Sequence, residues 1–355
     1  MPDVDLQALT CPAPRTEHAQ VLLGHGSGGR MTADLIRRTF LPHLGNEFLA
    51  ALEDQATLRL DGFSGSQRLA FTTDSFVVRP IFFPGGDIGR LAVHGTVNDL
   101  AVGGARPLFL AAAFILEEGL RLADLERIAA SMRAACDEAG VCLVTADTKV
   151  VDRGKGDQIF ITTTGIGLVP EGCRLSIHAA RPGDRILVSG TIGDHGIAIL
   201  SVREGLEFET VLESDSAPLC GLVQTLLAAG LAIRAMRDPT RGGLSSALHE
   251  LAEASRVGVK LSEPAIPLRS EVRAACEMLG LDPLYVASEG RLIAVVAQPD
   301  AERALTVMQS HPLGRNAAII GEVVDQHPCL VTIRSPLSTE RIVPMLAGEQ
   351  LPRIC

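Results

Sequence analysis

The alternation of hydrophobic and polar positions predicts helices and strands that follow one another along most of the chain. The clearest helix is predicted over residues 122–139, where apolar residues from Leu125 to Ala135 recur every three to four positions. Gly140 comes directly after this pattern, and glycine commonly ends a helix because it adopts positive φ without strain. Other helices are predicted over residues 32–43, 87–99, 195–203, 218–229, 244–255 and 300–309, and strands over residues 69–73, 108–116, 141–145, 158–164, 185–189, 292–297, 317–324 and 330–334.

The sequence also predicts where one domain ends and the next begins. Prolines and glycines cluster between residues 169 and 184, and the pattern of strands and helices starts again after them. Because strands and helices alternate in both halves, each half is predicted to be α/β or α+β. The predicted parts are a flexible lead-in over residues 1–20, an N-terminal domain over 21–170, a C-terminal α/β domain over 171–345 and a flexible tail over 346–355.

Composition narrows the class of protein. The chain has 355 residues, 46% of them hydrophobic, which suits two domains with substantial cores. The net charge of −10 argues against non-specific nucleic-acid binding, and it makes an anionic substrate awkward unless a metal ion intervenes. The longest apolar run, residues 108–116, is too short to span a bilayer, and no targeting segment is recognisable. We therefore expect a soluble, cytoplasmic protein with no nucleic-acid or membrane partner.

Eight cysteines are scattered along the chain without a C-x-x-C pair, so most are expected to be buried apolar side chains. Cys136 and Cys142, beside a predicted helix end and strand, are both expected in the core. Cys355 differs, because it is the last residue of the sequence and lies on a segment without apolar periodicity. An exposed, mobile thiol at this position is either accidental or a reactive group on an arm that visits more than one site.

A glycine-rich stretch follows the first apolar run. Gly24, Gly26 and Gly29 match the spacing of dinucleotide-binding loops. The match is weak, because no strand follows the next predicted helix promptly enough to close a βαβ unit. The alternatives are a flexible loop and a glycine-rich flap whose main-chain N–H groups cover phosphates. No P-loop of the G-x-x-x-x-G-K-[ST] type occurs in the sequence.

Four aspartates are placed where predicted strands or helices meet loops, namely Asp74, Asp99, Asp147 and Asp238. Taken singly, each is typical of a helix cap or a turn. Taken together they indicate an oxygen-rich site, and Mg²⁺ prefers carboxylate and phosphate oxygens. Such a site would let an acidic protein bind a nucleotide polyphosphate.

Two further charged residues are candidates for proton transfer. Lys149 lies two positions after Asp147, so in a strand both side chains project from one face. Glu289 lies in Ser288-Glu289-Gly290, just before a predicted buried strand, and a loop carboxylate there could act as a base. For both residues the alternative is an ordinary solvated side chain.

With these residues assembled, the chain resembles the HypE family of carbamoyl dehydratases, within the superfamily of aminoimidazole ribonucleotide synthetase and selenide, water dikinase. The resemblance runs from about Gly24 to Cys355. The motifs that carry it are Gly24-His-Gly-Ser-Gly-Gly-Arg30, Phe71-Thr-Thr-Asp-Ser75, Val97-Asn-Asp-Leu-Ala101, Asp147-Thr-Lys-Val-Val151, Asp238-Pro-Thr-Arg-Gly-Gly-Leu244, Ser288-Glu-Gly290 and Pro352-Arg-Ile-Cys355. The aspartate motifs mark the ATP-binding superfamily, whereas the motif that begins at Asp147 and the cysteine-ended tail mark the HypE family.

The resemblance implies a fold and a reaction. Residues 21–170 would form an ATP-binding and dimerisation domain, and two chains would pair through it into a homodimer. A HypF-type carbamoyltransferase would load a carbamoyl group onto the Cys355 thiol. The enzyme would then use ATP and Mg²⁺ to dehydrate this S-carboxamide to a thiocyanate. The cyanide would pass to iron on the HypC–HypD complex and become a ligand of the nickel–iron hydrogenase.

The resemblance also implies roles for single residues. Cys355, Lys149 and Glu289 would be catalytic, with Glu289 the more natural proton acceptor because a lysine needs a lowered pKa to serve as a base. Mg²⁺ would be bound by Asp74, Asp99 and Asp238. The residues expected to bind ATP are Gly26, Gly28, Gly29, Asp74, Asn98, Asp99, Asp147, Asp238, Arg241 and Gly242.

Three other functions remain open at this point. Another ATP-dependent synthetase or kinase of the superfamily would act on a free small molecule and would not need the tail. A scaffold would bind partners without hydrolysing ATP. An oxidoreductase would bind a dinucleotide through the glycine-rich stretch.

Overall fold

The structure is a computed structural model and describes residues 21–44, 46–58, 68–205, 212–346, 348, 351 and 353–355. The predicted lead-in over residues 1–20 lies outside the described residues. The strands are β1 Ala56–Leu58, β2 Arg68–Phe76, β3 Phe82–Phe83, β4 Gly86–Asp87, β5 Arg106–Glu117, β6 Cys142–Val151, β7 Ile159–Val169, β8 Arg185–Val188, β9 Ile233–Arg237, β10 Gly258–Ser262, β11 Ile293–Val296, β12 Ala318–Val324, β13 Val331–Arg334 and β14 Glu340–Val343. The α-helices are α1 Arg30–Leu35, α2 Leu41–Leu44, α3 Ile88–Val102, α4 Leu122–Ala139, α5 Asp194–Glu204, α6 Cys220–Ala228, α7 Gly243–Ser255, α8 Ser270–Leu279 and α9 Ala301–Ser310, with a π-helical turn over Ile36–Phe40 between the first two.

The first half of the chain builds a five-stranded sheet in the order β1-β2-β7-β5-β6. All neighbouring strands are antiparallel except β5 and β6, which are parallel. The parallel pair follows from the connection, since α4 carries the chain back between these two strands. Strand β6 forms one edge of the sheet, and most of its residues are exposed.

The second half builds a seven-stranded sheet in the order β14-β13-β10-β12-β8-β11-β9. Strand β11 is buried throughout, as expected of a central strand whose four residues are all apolar. Strand β9 lies at one edge, and the chain turns at its end into α7. This edge places Asp238 next to the first half of the molecule.

Helix α3 packs against the first sheet and contacts both halves of the chain. The Asp87 carboxylate accepts hydrogen bonds from the main-chain N–H groups of Gly89 and Arg90, which caps its first turn. Small residues let the helix approach the sheet closely: a Cβ at Gly95 would lie 2.8 Å from the ring of Phe76. Almost all of its side chains are buried, so the helix holds Asn98 and Asp99 in fixed positions.

Most predicted elements are present, and the structure also contains elements that the sequence pattern did not predict. Helix α4 spans the predicted residues and ends with Gly140 at φ +68. Strands β1, β3, β4, β9, β10 and β14 and helix α8 were not predicted. The strands are short, and α8 buries only three apolar side chains, so neither pattern is strong.

The prediction for Cys142 is wrong. Cys136 is buried in the core as predicted, but Cys142 is exposed, because it begins the edge strand β6. No helix among the described residues combines the length and apolarity that crossing a membrane requires.

Candidate active site

A tight turn between β9 and α7 forms one wall of a cleft that both halves of the chain line. Gly242 and Gly243 adopt φ values of +85 and +63, a region that favours glycine. A Cβ at Gly242 would also lie 2.2 Å from Ser246 Oγ. The glycines therefore let the chain reverse sharply and place Asp238 at the floor of the cleft, where it is 7% exposed.

Three carboxylates meet at this cleft, and two of them, Asp99 and Asp238, line it. One oxygen each of Asp54, Asp99 and Asp238 lies within 4.8 Å of the others. They come from the loop before β1, from α3 and from the turn after β9, so both halves of the chain contribute. Thr72 Oγ1 lies 2.9 Å from Asp99 Oδ2 and orients that carboxylate. Asp74 lines the same cleft but lies outside this carboxylate trio.

The electrostatics of the carboxylate trio favour a cation. Burial raises the pKa of Asp54 to about 7 and that of Asp238 to about 6, against the opposing effect of Arg237. Burial and the neighbouring Asp238 raise the pKa of Asp99 well above its usual range. In the absence of a cation the site therefore holds protons near neutral pH. Mg²⁺ prefers such hard oxygen ligands, so the residues fit this ion.

Glu289 is buried beside the carboxylate trio rather than solvated. Its side chain is 2% exposed, and its Oε1 has no hydrogen-bond partner among the described residues. Its main-chain N–H donates to Asp215 Oδ1 at 3.0 Å. The next residue must be glycine, because a Cβ at Gly290 would lie 1.8 Å from the main-chain oxygen of Asp215. Burial, with Asp238 and Asp215 nearby, raises the pKa of Glu289 well above its usual range.

Asn98 holds this arrangement together from α3. Its Nδ2 donates to the main-chain oxygens of Ala217 and Glu289, both at 3.1 Å. Its Oδ1 accepts from the main-chain N–H of Leu219 at 2.8 Å. The residue is 1% exposed and its side chain is engaged with main chain, so in this structure it fixes the Glu289 loop. That Asn98 also binds ATP stays a prediction.

Arg241 joins the cleft to the end of the chain. Its Nε donates to Cys355 Sγ at 3.3 Å and its Nη2 to Cys355 O at 3.4 Å. Its Nη1 donates to the main-chain oxygen of Gly26 at 2.6 Å. One guanidinium group therefore contacts both the thiol and the glycine-rich stretch. Burial, opposed by Arg241, raises the pKa of Cys355 to about 12, so the thiol is protonated at neutral pH.

The expectation that Cys355 is exposed is wrong for this conformation. The thiol is 7% exposed, and the side chains of Leu351 and Ile354 are also buried. Main-chain N–H groups of Val77 and Arg79 donate to carbonyl oxygens of the tail at 3.1 Å. Apolar periodicity alone gives no hint of this packing, because so few residues make it. That the tail also leaves this position remains a prediction.

The glycine-rich stretch packs against the turn that holds Asp238. Gly28 has φ +72, and a Cβ there would lie 2.5 Å from the main-chain oxygen of Arg241. A Cβ at Gly29 would lie 2.3 Å from Leu346 O, whereas one at Gly26 would meet nothing within 4 Å. Packing therefore requires the last two glycines, while Gly26 leaves open space for a ligand. A short 3₁₀ turn over Leu23–Gly26 precedes them, so the described residues lack the strand that a dinucleotide site needs.

A larger cavity of about 500 Å³ adjoins the cleft. Both are lined by Gly28, Arg237 and Glu250. The cavity also has apolar walls, which Ile36 and Ile177 contribute. A cleft of carboxylates that opens into a partly apolar cavity can hold a polyphosphate at one end and a base at the other.

Asp147 and Lys149 lie apart from this cleft. Asp74 on β2 is aligned across the first sheet with Thr163 on β7, Ala112 on β5 and Ala146 on β6. Three strand spacings, about 14 Å in total, therefore separate Asp74 from β6. Alternation along β6 turns the next residue, Asp147, toward the opposite face. Lys149 Nζ pairs with Asp147 Oδ2 at 2.7 Å, and their side chains are 71% and 69% exposed.

Two residues of the site were missed by sequence reasoning. Asp54 precedes the short strand β1, and neither a motif nor periodicity marks it. Asp215 supports Glu289 from a segment without regular structure. Carboxylates are common in exposed loops, so only the long-range packing that buries these two distinguishes them.

Comparison with known proteins defines the class. Residues 52–169 match the family "AIR synthase related protein, N-terminal domain" and residues 181–332 match "AIR synthase related protein, C-terminal domain". The chain therefore belongs to the two-domain proteins related to aminoimidazole ribonucleotide synthetase, which confirms the predicted fold.

Closer relatives define the family. The chain is 58% identical to carbamoyl dehydratase HypE of Azotobacter vinelandii over 338 residues, 95% of this chain and 98% of the relative. A crystal structure of HypE in complex with ATP has a TM-score of 0.79 and 49% identity, covering 95% of this chain and all (100%) of that one. HypE in a HypE–HypF complex has a TM-score of 0.82 and 50% identity, covering 88% and 99%. The chain belongs to the HypE family of carbamoyl dehydratases, as its motifs predicted.

Proposed function

We propose that this protein uses ATP to dehydrate a carbamoyl group carried by its own Cys355, giving a thiocyanate, ADP and phosphate. The thiocyanate supplies the cyanide ligand of the hydrogenase iron. One observation carries the proposal: the Cys355 thiol lies in a cleft that is also lined by Asp99, Asp238, Glu289 and Arg241. An enzyme for a free small molecule has no reason to place its own thiol there.

The residues around the cleft suit ATP and Mg²⁺. Asp54, Asp99 and Asp238 would hold Mg²⁺, with Asp74 beside them. When bound there, Mg²⁺ would supply positive charge that offsets the negative charge of the ATP phosphates. In the glycine-rich stretch, Gly26 leaves room for phosphate oxygens, and the adjoining cavity takes the nucleoside.

The reaction removes the elements of water from the S-carboxamide. Its oxygen is a poor leaving group until attack on the γ-phosphorus of ATP releases ADP and turns that oxygen into a phosphate ester. The nitrogen then loses its protons as phosphate departs and the C≡N bond forms. Glu289 is the proton acceptor of this reaction, because its carboxyl is buried in the same cleft as the Cys355 thiol. Arg241 orients the carbamoylated sulfur through its contacts to Cys355.

Lys149 and Asp147 would reach a cleft only from a second copy of the chain. They lie on the uncovered face of the first sheet, where Asp147 pairs with Ala113 of β5 and Lys149 pairs with Ile115. Phe71 and Phe109 also lie on this face and are 41% and 46% exposed, together with Ile115 at 43%. An apolar sheet face of this kind favours burial against another chain. We therefore propose a homodimer that covers this face and brings the Lys149 strand of one chain to the ATP site of the other.

The proposed partners are those that the resemblance to the HypE family implies. A HypF-type carbamoyltransferase would supply the carbamoyl group, and a relative crystallises as a HypE–HypF complex. A HypC–HypD complex would accept the cyanide on its iron. We expect both steps to take place in the cytoplasm.

The mass of the peptide that ends in Cys355 tests the proposal. After incubation with the carbamoyltransferase, carbamoyl phosphate and ATP, we expect this peptide to carry a carbamoyl group less one water. A chain without residues 346–355 should give no ATP turnover that depends on carbamoyl loading. Full ATP turnover in that shortened chain would instead favour a synthetase or kinase for a free small molecule.

A further inference from the structure

One buried histidine contacts the docked tail and belongs to no motif discussed above. The flanking tail carbonyls, those of Arg353 and Cys355, accept main-chain N–H groups from the segment after β2. The carbonyl between them, that of Ile354, accepts instead from His195 Nε2 at 2.6 Å. His195 is the second residue of α5 and is completely buried, at 0% exposed. The tail is therefore held at three consecutive carbonyls. Arg203 and Arg241 also donate to the outer two, and the middle one accepts from the His195 side chain.

The surroundings of His195 fix its orientation and its tautomer. Its ring stands edge-to-face against Phe83, with centroids 5.5 Å apart. Its Nδ1 lies 2.7 Å from Ser214 Oγ. Since a carbonyl can only accept, Nε2 carries the proton, and Nδ1 accepts from the serine hydroxyl. Burial lowers the pKa of His195 to about 4, so the ring is neutral at physiological pH.

The docked tail satisfies a donor that has no other acceptor among the described residues. If the tail leaves, Nε2–H stays in a buried pocket unless water enters, and an unpaired buried donor is costly. The contact is to main chain, so it does not depend on the group that the sulfur carries. It therefore acts equally on a free and a carbamoylated Cys355.

We propose that His195 is a positioning residue, which holds the substrate-bearing tail in the cleft by a hydrogen bond to the carbonyl of Ile354. It does not touch the reacting atoms. Its effect is on the ratio of docked to undocked tail, and through that ratio on how often the sulfur meets Glu289 and ATP. The link to dehydration rests on the proposed function, whereas the effect on tail docking does not.

The test measures how fast iodoacetamide alkylates Cys355. The exposed thiols of Cys142 and Cys329 serve as internal references in the same molecule. Because the docked thiol is buried, alkylation requires undocking, and its rate reports the undocked fraction. His195→Leu, which keeps the bulk and loses the donor, should raise the rate for Cys355 about 10-fold relative to the references. His195→Gln, which can still donate, should recover most of the protection.

His94 provides a matched control. It is also completely buried, and its Nδ1 bonds Ser216 Oγ at 3.0 Å, two residues from the serine that contacts His195. Among the described residues, its polar partners Ser216 and Glu138 lie outside the tail. His94→Leu should therefore destabilise the protein without changing the alkylation ratio. If His195→Leu does not fold, Ser214→Ala takes its place and should raise the ratio a few-fold, because it loosens the ring. An unchanged ratio in folded His195→Leu, or an equal rise in His94→Leu, would overturn the proposal.

A second measurement separates positioning from the proposed chemistry. In His195→Leu, loading of the carbamoyl group should be unchanged or faster, while dehydration slows by a similar factor of about 10, because the tail spends less time docked. Faster alkylation with unchanged dehydration would keep the docking role and contradict the proposed reaction in the cleft.

Discussion

Two of the predicted catalytic side chains, Cys355 on the tail and Lys149 on strand β6, lie in opposite surroundings. Cys355 is 7% exposed and held by main-chain and side-chain contacts, whereas the Lys149 side chain is 71% exposed at the edge of a sheet. In the proposed reaction, one chain thus supplies all the residues that surround the substrate thiol. Lys149 on β6 is left on a surface that a second copy can cover. A motif identifies both residues equally well, but only the fold distinguishes their surroundings.

The largest expected effect comes from removing the thiol. Cys355→Ala should make no thiocyanate while it binds ATP normally, because the nucleotide contacts lie in the folded domains. Mass spectrometry of the tail peptide and a nucleotide-binding titration measure the two properties. Cyanide transfer that persisted in this variant would show that another group carries the carbamoyl, and Cys142→Ala controls for the exposed thiol.

The carboxylate trio should be nearly as sensitive. Asp99→Asn should reduce ATP hydrolysis by at least 100-fold in a folded protein, because it removes a charged ligand from the cation site. Asp87→Asn, which weakens the N-terminal cap of the same helix, is the matched control and should cost at most about 1 kcal/mol of stability while turnover persists. Equal turnover in the two variants would refute the assignment of Asp99 to the cation.

The proposed role of the exposed residue, Lys149, can be tested by mixing two variants of the chain. Lys149→Ala should accept the carbamoyl group but dehydrate it about 10- to 100-fold more slowly, if its role is acid–base chemistry. Mixed with Cys355→Ala chains, it should regain roughly a quarter of wild-type activity, since half of the dimers then combine one intact thiol with the partner's intact lysine. Thiocyanate formation measures this directly.

Two results would contradict that prediction. No recovery in the mixture would place Lys149 in the same chain as its thiol, or outside the chemistry. An equal loss in Lys155→Ala, an exposed lysine in the turn after β6, would point to a general effect of surface charge.

The smallest effect expected is a dependence of Mg²⁺ binding on pH. The folded-state pKa values of Asp54 and Asp238 are raised to about 7 and 6, so these groups stabilise the metal-free protein most at low pH and lose that contribution as pH rises through this range. Mg²⁺ competes with the same protons. The increase in Tm caused by Mg²⁺ should therefore grow from pH 6 to pH 8, and Asp54→Asn should flatten it. A Tm increase that was equal at both pH values would contradict the carboxylate trio as the cation site.

Sequence alone predicted local elements better than the site. Helix α4 was predicted to the residue, because Ile128 and Met132 repeat at helical spacing and Gly140 ends the pattern. The motifs identified Asp99, Asp238 and Glu289. The sequence could not reveal that Asp54 joins them, since that depends on β1 pairing with a strand more than ten residues away. Nor could it show that Glu289 is buried, which follows from contacts between the two halves.

Asn98 also has a consequence for how the molecule unfolds. From α3 in the first half it bonds the main chain at Ala217, Leu219 and Glu289 in the second, and all of these groups are buried. Separating the halves would strip several polar groups of their partners at once, so neither half should melt before the other. Calorimetry should then give a single endotherm, with equal calorimetric and van't Hoff enthalpies per chain. In Asn98→Ala the same scan should broaden or divide into two.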